Sequence, residues 1–312
     1  SIAFPPSLLA ADAAARSGSR RDAPIKPAEL QSSKREKLMT DIKNVTGTAF
    51  VVAEFRASEN SEPKPLYVDP VVPIFLDERT KQAAEMIAGS FPPGVMNVRI
   101  RTRYFDDRLD QAITAGCRQI VILGAGLDTR PFRKQAPGVV YYEIDDANTL
   151  SFKKERLEAA GYRAADNFIP GNYVDKGVLP LLEVNGFDRF EPAFFIWEGN
   201  TMYLTKAMNL NVLAELRDAL RAFSISFDYM SEAVIDYATG EEDITKFVER
   251  FAAMGAPWQF GIDDLPAFAR EAGLSVADNV TTADLHRAYW PGRAINTRMF
   301  DHYSLCTLRG DA

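Results

Sequence analysis

Histidine and cysteine are nearly absent, with two of each among 312 residues. Cys117 and Cys306 adjoin strand-like segments and form no C-x-x-C pair, and only His286 and His302 are left to complete a metal site. This scarcity excludes a zinc centre and a disulfide framework. No metal and two reduced thiols are expected, the pattern of a cytoplasmic protein. Positive charge is also in deficit: 36 Lys and Arg against 43 Asp and Glu give a net charge of −7. That balance disfavours nucleic acid as a partner, because phosphate binding needs a positive face. Long apolar runs are missing as well. None approaches the roughly 20 residues that a membrane span requires, so no membrane partner is expected. The opening "SIAFPPSLLAADAAARSGSRR" has no basic segment before its short apolar part, which makes it a poor secretory leader.

What remains is rich in core-forming residues, 46% hydrophobic and 25% charged. The length suits one large domain, or a domain with a substantial extension. Residues 1–100 carry helical patches without a regular strand–helix rhythm and read as a helical cap. From 101 to 312 the pattern is that of a core. "RYFDDRLDQAI" sets Phe105, Leu109, Ala112 and Ile113 on one helical face, and Gly116 closes that helix. "QIVIL" follows as a strand buried on both faces. "VVYYEID", "NFIPGNY", "AFFIWEG" and "SISFDYM" continue as strands, with helical segments such as "ANTLSFKKERLEAAG" between them. Residues 231–262 read as an insertion or lid, and "LSVADNV" and "HYSLCTL" as closing strands. The alternation predicts an α/β fold with a mostly parallel, doubly wound sheet of seven strands.

The most informative stretch is "QIVILGAGLDTRPFR", where the apolar run stops at Gly124-Ala125-Gly126. In a doubly wound sheet, ligands bind beyond the carboxyl ends of the strands where strand order reverses. Gly124 to Thr129 are therefore expected to line a cofactor cleft, with Glu143 and Asp145 alongside. Asp145 follows Gly126 by 19 residues, about the separation of a carboxylate that accepts hydrogen bonds from ribose hydroxyls. A dinucleotide and S-adenosylmethionine both carry such a ribose. The third glycine position separates them. The dinucleotide pattern needs Gly or Ala at 129, where this chain has Thr129, with Pro131 close behind. A pyrophosphate at a helix N-terminus is thus disfavoured, which tilts the reading from an NAD-dependent oxidoreductase towards a methyl donor.

"LGAGLDTRPFR", with "YYEIDDA" and "WEGNTMYL", resembles the leucine carboxyl methyltransferase family of class I S-adenosylmethionine-dependent methyltransferases, from about Thr46 to Leu204. The resemblance implies a Rossmann-like methyltransferase core with S-adenosyl-L-methionine as cofactor. In "RTRYFDD", Arg101 matches the arginine that holds the cofactor's carboxylate, with Arg103 as the alternative. Gly124, Ala125 and Gly126 form the cofactor loop, and Asp145 is the ribose acid, ahead of Glu143. The family usually has an acid after the third strand for the adenine amine. Here the aligned position falls near Asn172 or Asp175, with Tyr173 flanking the adenine, so the chain departs from the pattern. Glu198, at the end of the fourth strand, can face the cofactor's cationic end, or form a buried ion pair with a loop arginine. Tyr203 can border the transferred methyl group or simply pack in the core. Glu198 and Tyr203 are assigned to catalysis. Asp128 and Arg130 either order the loop or reach ligand.

The segments outside the core, before residue 100 and over 231–262, are expected to cover the cleft and select the acceptor. Phe251, Trp258, Phe260, Tyr289 and Trp290 are its expected walls, with Arg293 or Arg298 steering an acidic group. A phenolic acceptor would use a base, for which His286 and His302 are the candidates. The expectation is O-methylation of a carboxylate or acidic hydroxyl on a small-molecule metabolite. A protein C-terminal leucine carboxylate and a non-catalytic binding module are the alternatives.

Overall fold

The computed structural model describes residues 46–163, 167–253 and 256–311; the opening segment, read as a poor leader, and the rest of 1–45 lie outside the described residues. Gln119–Leu123 (β1) is buried at every position, as a parallel strand covered on both faces must be. It pairs in parallel with Val140–Asp145 (β2) on one side. Phe168–Pro170 (β3) extends the sheet beyond β2. On the other side β1 pairs with Ala193–Trp197 (β4), which pairs in turn with Ala222–Met230 (β5). Ser275–Thr281 (β6) and Tyr303–Asp311 (β7) complete the sheet, β7 running antiparallel to both β5 and β6. The order is β3-β2-β1-β4-β5-β7-β6, the expected seven strands. The crossovers reverse direction between β1 and β4, so the carboxyl ends of these two strands frame a cleft.

Helices Thr46–Ser58 (α1), Glu78–Ser90 (α2) and Pro92–Thr114 (α3) precede the sheet. Ala147–Ala159 (α4), Lys206–Ala219 (α5), Glu242–Ala253 (α6) and Leu265–Ala272 (α7) are interleaved with its strands. Side-chain alternation along the strands decides what covers each face. Val121, Leu123, Ile144, Phe195 and Trp197 enter one core, with Val212, Leu213 and Leu216 of α5 and Phe268 of α7. Ile120, Ile122, Tyr141, Phe194 and Ile196 enter the other, against Ile100, Phe105 and Leu109 of α3.

The cap joins this core without a break. The expected boundary between residues 100 and 101 falls inside α3, a 23-residue helix opened by Pro92 and Pro93. Proline suits a first helical turn, where no intrahelical N–H partner is lost. The helix is hard to read before residue 100 because Gly94, Asn97 and Arg101 face a cavity rather than apolar core. Val51, Phe55, Ala84 and Val98 bind α1, α2 and α3 into one layer. Ala53, Val72 and Phe75 pack that layer on Leu127, directly after the glycine loop, and on Leu157 of α4.

Leu213 is fully buried beneath the sheet. Leu213→Ala should lower stability by about 2–5 kcal/mol, read as a reduced urea midpoint at unchanged m-value. A loss under about 1 kcal/mol would contradict its place in this core.

Candidate active site

At the end of β1 the chain turns through Gly124 (φ 64°) and Gly126 (φ 48°), both in the left-handed region. A Cβ on Gly124 would lie 2.5 Å from Oδ1 of Asn200, so conformation and space both demand glycine there. A Cβ on Gly126 would meet only Ala49 of α1, at 3.6 Å, so backbone conformation alone selects that glycine. Asp145, the last residue of β2, fixes the turn. Its Oδ2 accepts the Gly126 N–H at 2.6 Å and its Oδ1 accepts the Asp146 N–H at 2.6 Å. Asp145 therefore adjoins the loop from behind. Glu143 lies deeper in the same strand, fully buried and paired with Lys153 of α4, away from the cleft.

The polar half of the signature, Leu127 to Arg130, is held by a network of buried charges. Arg130 is fully buried. Its Nε meets Asp106 Oδ1 at 2.8 Å, and its Nη1 meets Asp128 Oδ2 at 2.5 Å and Glu198 Oε2 at 2.8 Å. Arg133 pairs with Asp106 and lies 3.6 Å from Asp69, whose Oδ2 accepts the Thr129 hydroxyl at 2.6 Å. Arg56 of α1 lies 3.9 Å from Asp69 and donates to the Leu127 carbonyl at 2.5 Å. On the other flank, Arg101 Nε meets Glu198 Oε1 at 3.0 Å. Its Nη1 lies 3.0 Å from the Tyr303 hydroxyl and 3.4 Å from Asp228 Oδ2. Among the described residues, four arginines (56, 101, 130 and 133) thus face five carboxylates (69, 106, 128, 198 and 228) in this network. Burial would raise the Asp128 carboxyl, but Arg130 and Arg56 outweigh it and push it down to about 2. At the far end burial wins over Arg101, and the Asp228 carboxyl is raised.

Above the loop lies a cavity of about 330 Å³. Arg101, Glu198 and the stretch from Gly124 to Asp128 line its charged end. Val52 and Phe55 of α1, Met86 and Ile87 of α2, and Phe247, Arg250 and Phe251 of α6 wall its apolar end with Tyr203 and Trp258. Of the residues expected from sequence, Arg101, Gly124, Ala125, Gly126, Glu198, Tyr203, Phe251 and Trp258 come together here, and Asp145 sits next to them.

Others do not. Asn172 accepts the Val174 N–H at 3.0 Å and donates to Asp175 at 2.6 Å, so it caps a helical turn. Tyr173 is buried against Trp197, whose indole N–H donates to its hydroxyl at 2.9 Å. Neither lines the cavity. Phe260 packs on Phe268 in the core. Tyr289 and Trp290 pack together under Arg103 and Arg293, while Arg298 pairs with Asp301. His286 is buried beside Phe300, and His302 bonds the Ser231 hydroxyl at 2.9 Å. None of these lines the cavity, so its walls come from α1, α2 and α6 instead. Asp228, Tyr303, Asn200 and Arg250 went unread in the sequence. Asp228 had a signal: it is the lone acid in the otherwise uncharged strand "SISFDYM".

A seven-stranded sheet in the order β3-β2-β1-β4-β5-β7-β6 with β7 alone antiparallel, and a glycine loop at its switch point, is a class I methyltransferase fold. The chain belongs to the leucine carboxyl methyltransferase family, which it matches over residues 49–217, more than half of its length. It is 34% identical over 178 residues to a Mycobacterium tuberculosis protein named "Putative S-adenosyl-L-methionine-dependent methyltransferase", covering 52% of this chain and 54% of that protein. A protein of the same name from Mycobacteroides abscessus is 35% identical over 175 residues, covering 52% and 58%. The chain spans about half the length of the curated relatives it matches. Two solved structures share the fold. A "duf574 family protein" of Streptomyces avermitilis aligns with a TM-score of 0.57 at 14% identity, over 82% of this chain and 96% of that one. A protein of Thermobifida fusca described as a "putative methyltransferase" aligns at 0.58 and 16%, over 85% and 94%.

The depressed Asp128 carboxyl makes a pH prediction. A folded-state value near 2, against the ordinary 3.8, gives stability that is complete well above pH 3.8 and fades as pH falls towards 2. Asp128→Asn should therefore flatten the fall in urea midpoint between about pH 5 and pH 2. An unchanged slope would show that Asp128 does not carry that charge.

Proposed function

We propose that this chain is an S-adenosylmethionine-dependent O-methyltransferase acting on a carboxylate or acidic hydroxyl of a small metabolite. The observation that carries the reading is the two-ended cavity, charged over the glycine loop and aromatic under the helical cap. The charged end fits the groups of the cofactor. Arg101 presents a guanidinium to its carboxylate, an interaction contributing roughly 1.5–3 kcal/mol. The Glu198 carboxylate, at the edge of this network, suits its ammonium and sulfonium groups. The glycines admit a ligand close to the backbone, and Asp145 stands beside Gly126 for the ribose hydroxyls.

S-adenosylmethionine, when bound, supplies a methyl group already activated on a sulfonium sulfur. The chain's contribution is placement, which can supply roughly 7–11 kcal/mol of the barrier. Glu198, clamped by Arg101 and Arg130, holds a fixed charge at the cationic end. Tyr203 borders the cavity among the rings, and the helical cap over it limits the access of water. Among the described residues no histidine lines the cavity, and the lining carboxylates Asp128 and Glu198 are held by arginines. An acceptor that arrives ionised suits such a site, which favours a carboxylate. Helical walls on three sides favour a small molecule over a protein tail. The free thiols Cys117 and Cys306 accord with a cytoplasmic setting.

Calorimetry should show saturable binding of S-adenosylmethionine and none of NAD; binding of NAD alone would overturn the reading. Arg101→Lys should weaken cofactor binding about tenfold with the fold intact, since an ammonium cannot reproduce the guanidinium fork. Arg101→Ala is the poorer test because it strands buried Asp228. With methyl-labelled cofactor and a cell extract, label should appear in the small-molecule fraction. Label confined to proteins would reverse the acceptor assignment.

A further inference from the structure

The far end of the cavity is built from rings. Phe91 stacks on Phe247 at 4.1 Å and 25°. Phe251 lies against Trp258 at 5.2 Å and 33°, and Phe247 and Tyr203 meet Trp258 edge-on at 5.9 and 6.4 Å. All five side chains line the cavity, so the cluster presents aromatic faces and edges to whatever enters. The indole Nε1 of Trp258 is buried and has no hydrogen-bond partner among the described residues.

Charge enters this end through one side chain. Among the described residues three arginines line the cavity: Arg56, Arg101 and Arg250. Arg101 is committed to Glu198 and Asp228, and Arg56 to Asp69 and the Leu127 carbonyl. Arg250 has no carboxylate within ion-pair distance among the described residues, and its side chain is exposed. It sits on α6 next to Phe251 and one turn from Phe247, so a cation borders the ring cluster at the solvent side.

We infer that the acceptor is a planar aromatic acid, its ring held by Phe247, Phe251 and Trp258 and an anionic group other than the one that is methylated held by Arg250. Aromatic walls favour a ring over an alkyl chain of equal area, because offset and edge-on contacts add to simple burial. A guanidinium without a protein carboxylate binds an organic one more strongly than it binds a neutral ester. The inference rests on the proposed methyltransferase reading only in taking this end as the acceptor's.

The full chain is titrated calorimetrically with 2-naphthoate, its methyl ester and decanoate, with and without saturating S-adenosylhomocysteine. 2-Naphthoate should bind at least about fivefold more tightly than decanoate. Arg250→Gln should weaken 2-naphthoate about tenfold and leave the ester unchanged, while Phe251→Leu should weaken both ring probes about threefold. Tighter binding of decanoate, or an Arg250→Gln variant that binds the acid as well as the parent, overturns the inference. So does equal weakening of acid and ester. Failure of every probe in a chain that binds S-adenosylhomocysteine overturns it too, and leaves the cofactor reading standing. Ring-acid binding with the expected Arg250 dependence, in a chain that refuses S-adenosylhomocysteine, supports the inference and counts against the methyltransferase reading.

Discussion

A guanidinium sealed from water must be neutralised where it lies, and Arg130 is such a group. Its three carboxylates come from three different places: Asp106 from α3, Asp128 from the loop after β1, and Glu198 from the end of β4. Satisfying one buried charge therefore fixes the glycine loop, the long helix of the cap and the neighbouring strand against one another. Breaking such a pair typically costs about 3–5 kcal/mol, because the partner is left charged in a medium that cannot solvate it. The cavity exists because these elements are held apart at a set distance with their polar groups already engaged.

The same network explains how one cleft has two chemical ends. Glu198 is shared between Arg130 and Arg101, so its charge is anchored from both sides and stays at the cavity floor. Arg101 in turn rests on Asp228 and Tyr303 beneath the sheet end. Beyond this line of ion pairs the lining turns apolar within one residue's reach, at Tyr203 and the rings of α6. A ligand that spans both ends meets ion pairs at one end and, at the other, rings bordered by Arg250, a single free cation among the described residues there.

Much of this was legible in the sequence where the physics is local. The unbroken apolar run of β1, the two glycines and the acid 19 residues on were each dictated by backbone and burial within a short window. The seven strands and the mostly parallel sheet were expected from the rhythm of the segments, whereas the strand order and the antiparallel direction of β7 come from the structure. What was not legible is non-local. Asn172 and Tyr173 carry the right chemistry for a ligand, and only the structure shows that one also caps a turn and the other packs under Trp197. Tyr289 and Trp290 are as aromatic as Phe247, but α6 rather than α3's other neighbours folds over the cleft. No periodicity records which surface a lid covers. The cut expected at residue 100 falls within α3, where Gly94, Asn97 and Arg101 face the cavity and interrupt the apolar pattern.

The most direct test is a crystal structure of the chain with S-adenosylhomocysteine. The account predicts the ligand across Gly124, Ala125 and Gly126, its carboxylate on Arg101, its ribose beside Asp145 and its sulfur facing Tyr203. Density for the ligand in any other place, or an unchanged cavity at saturating concentration, would contradict it.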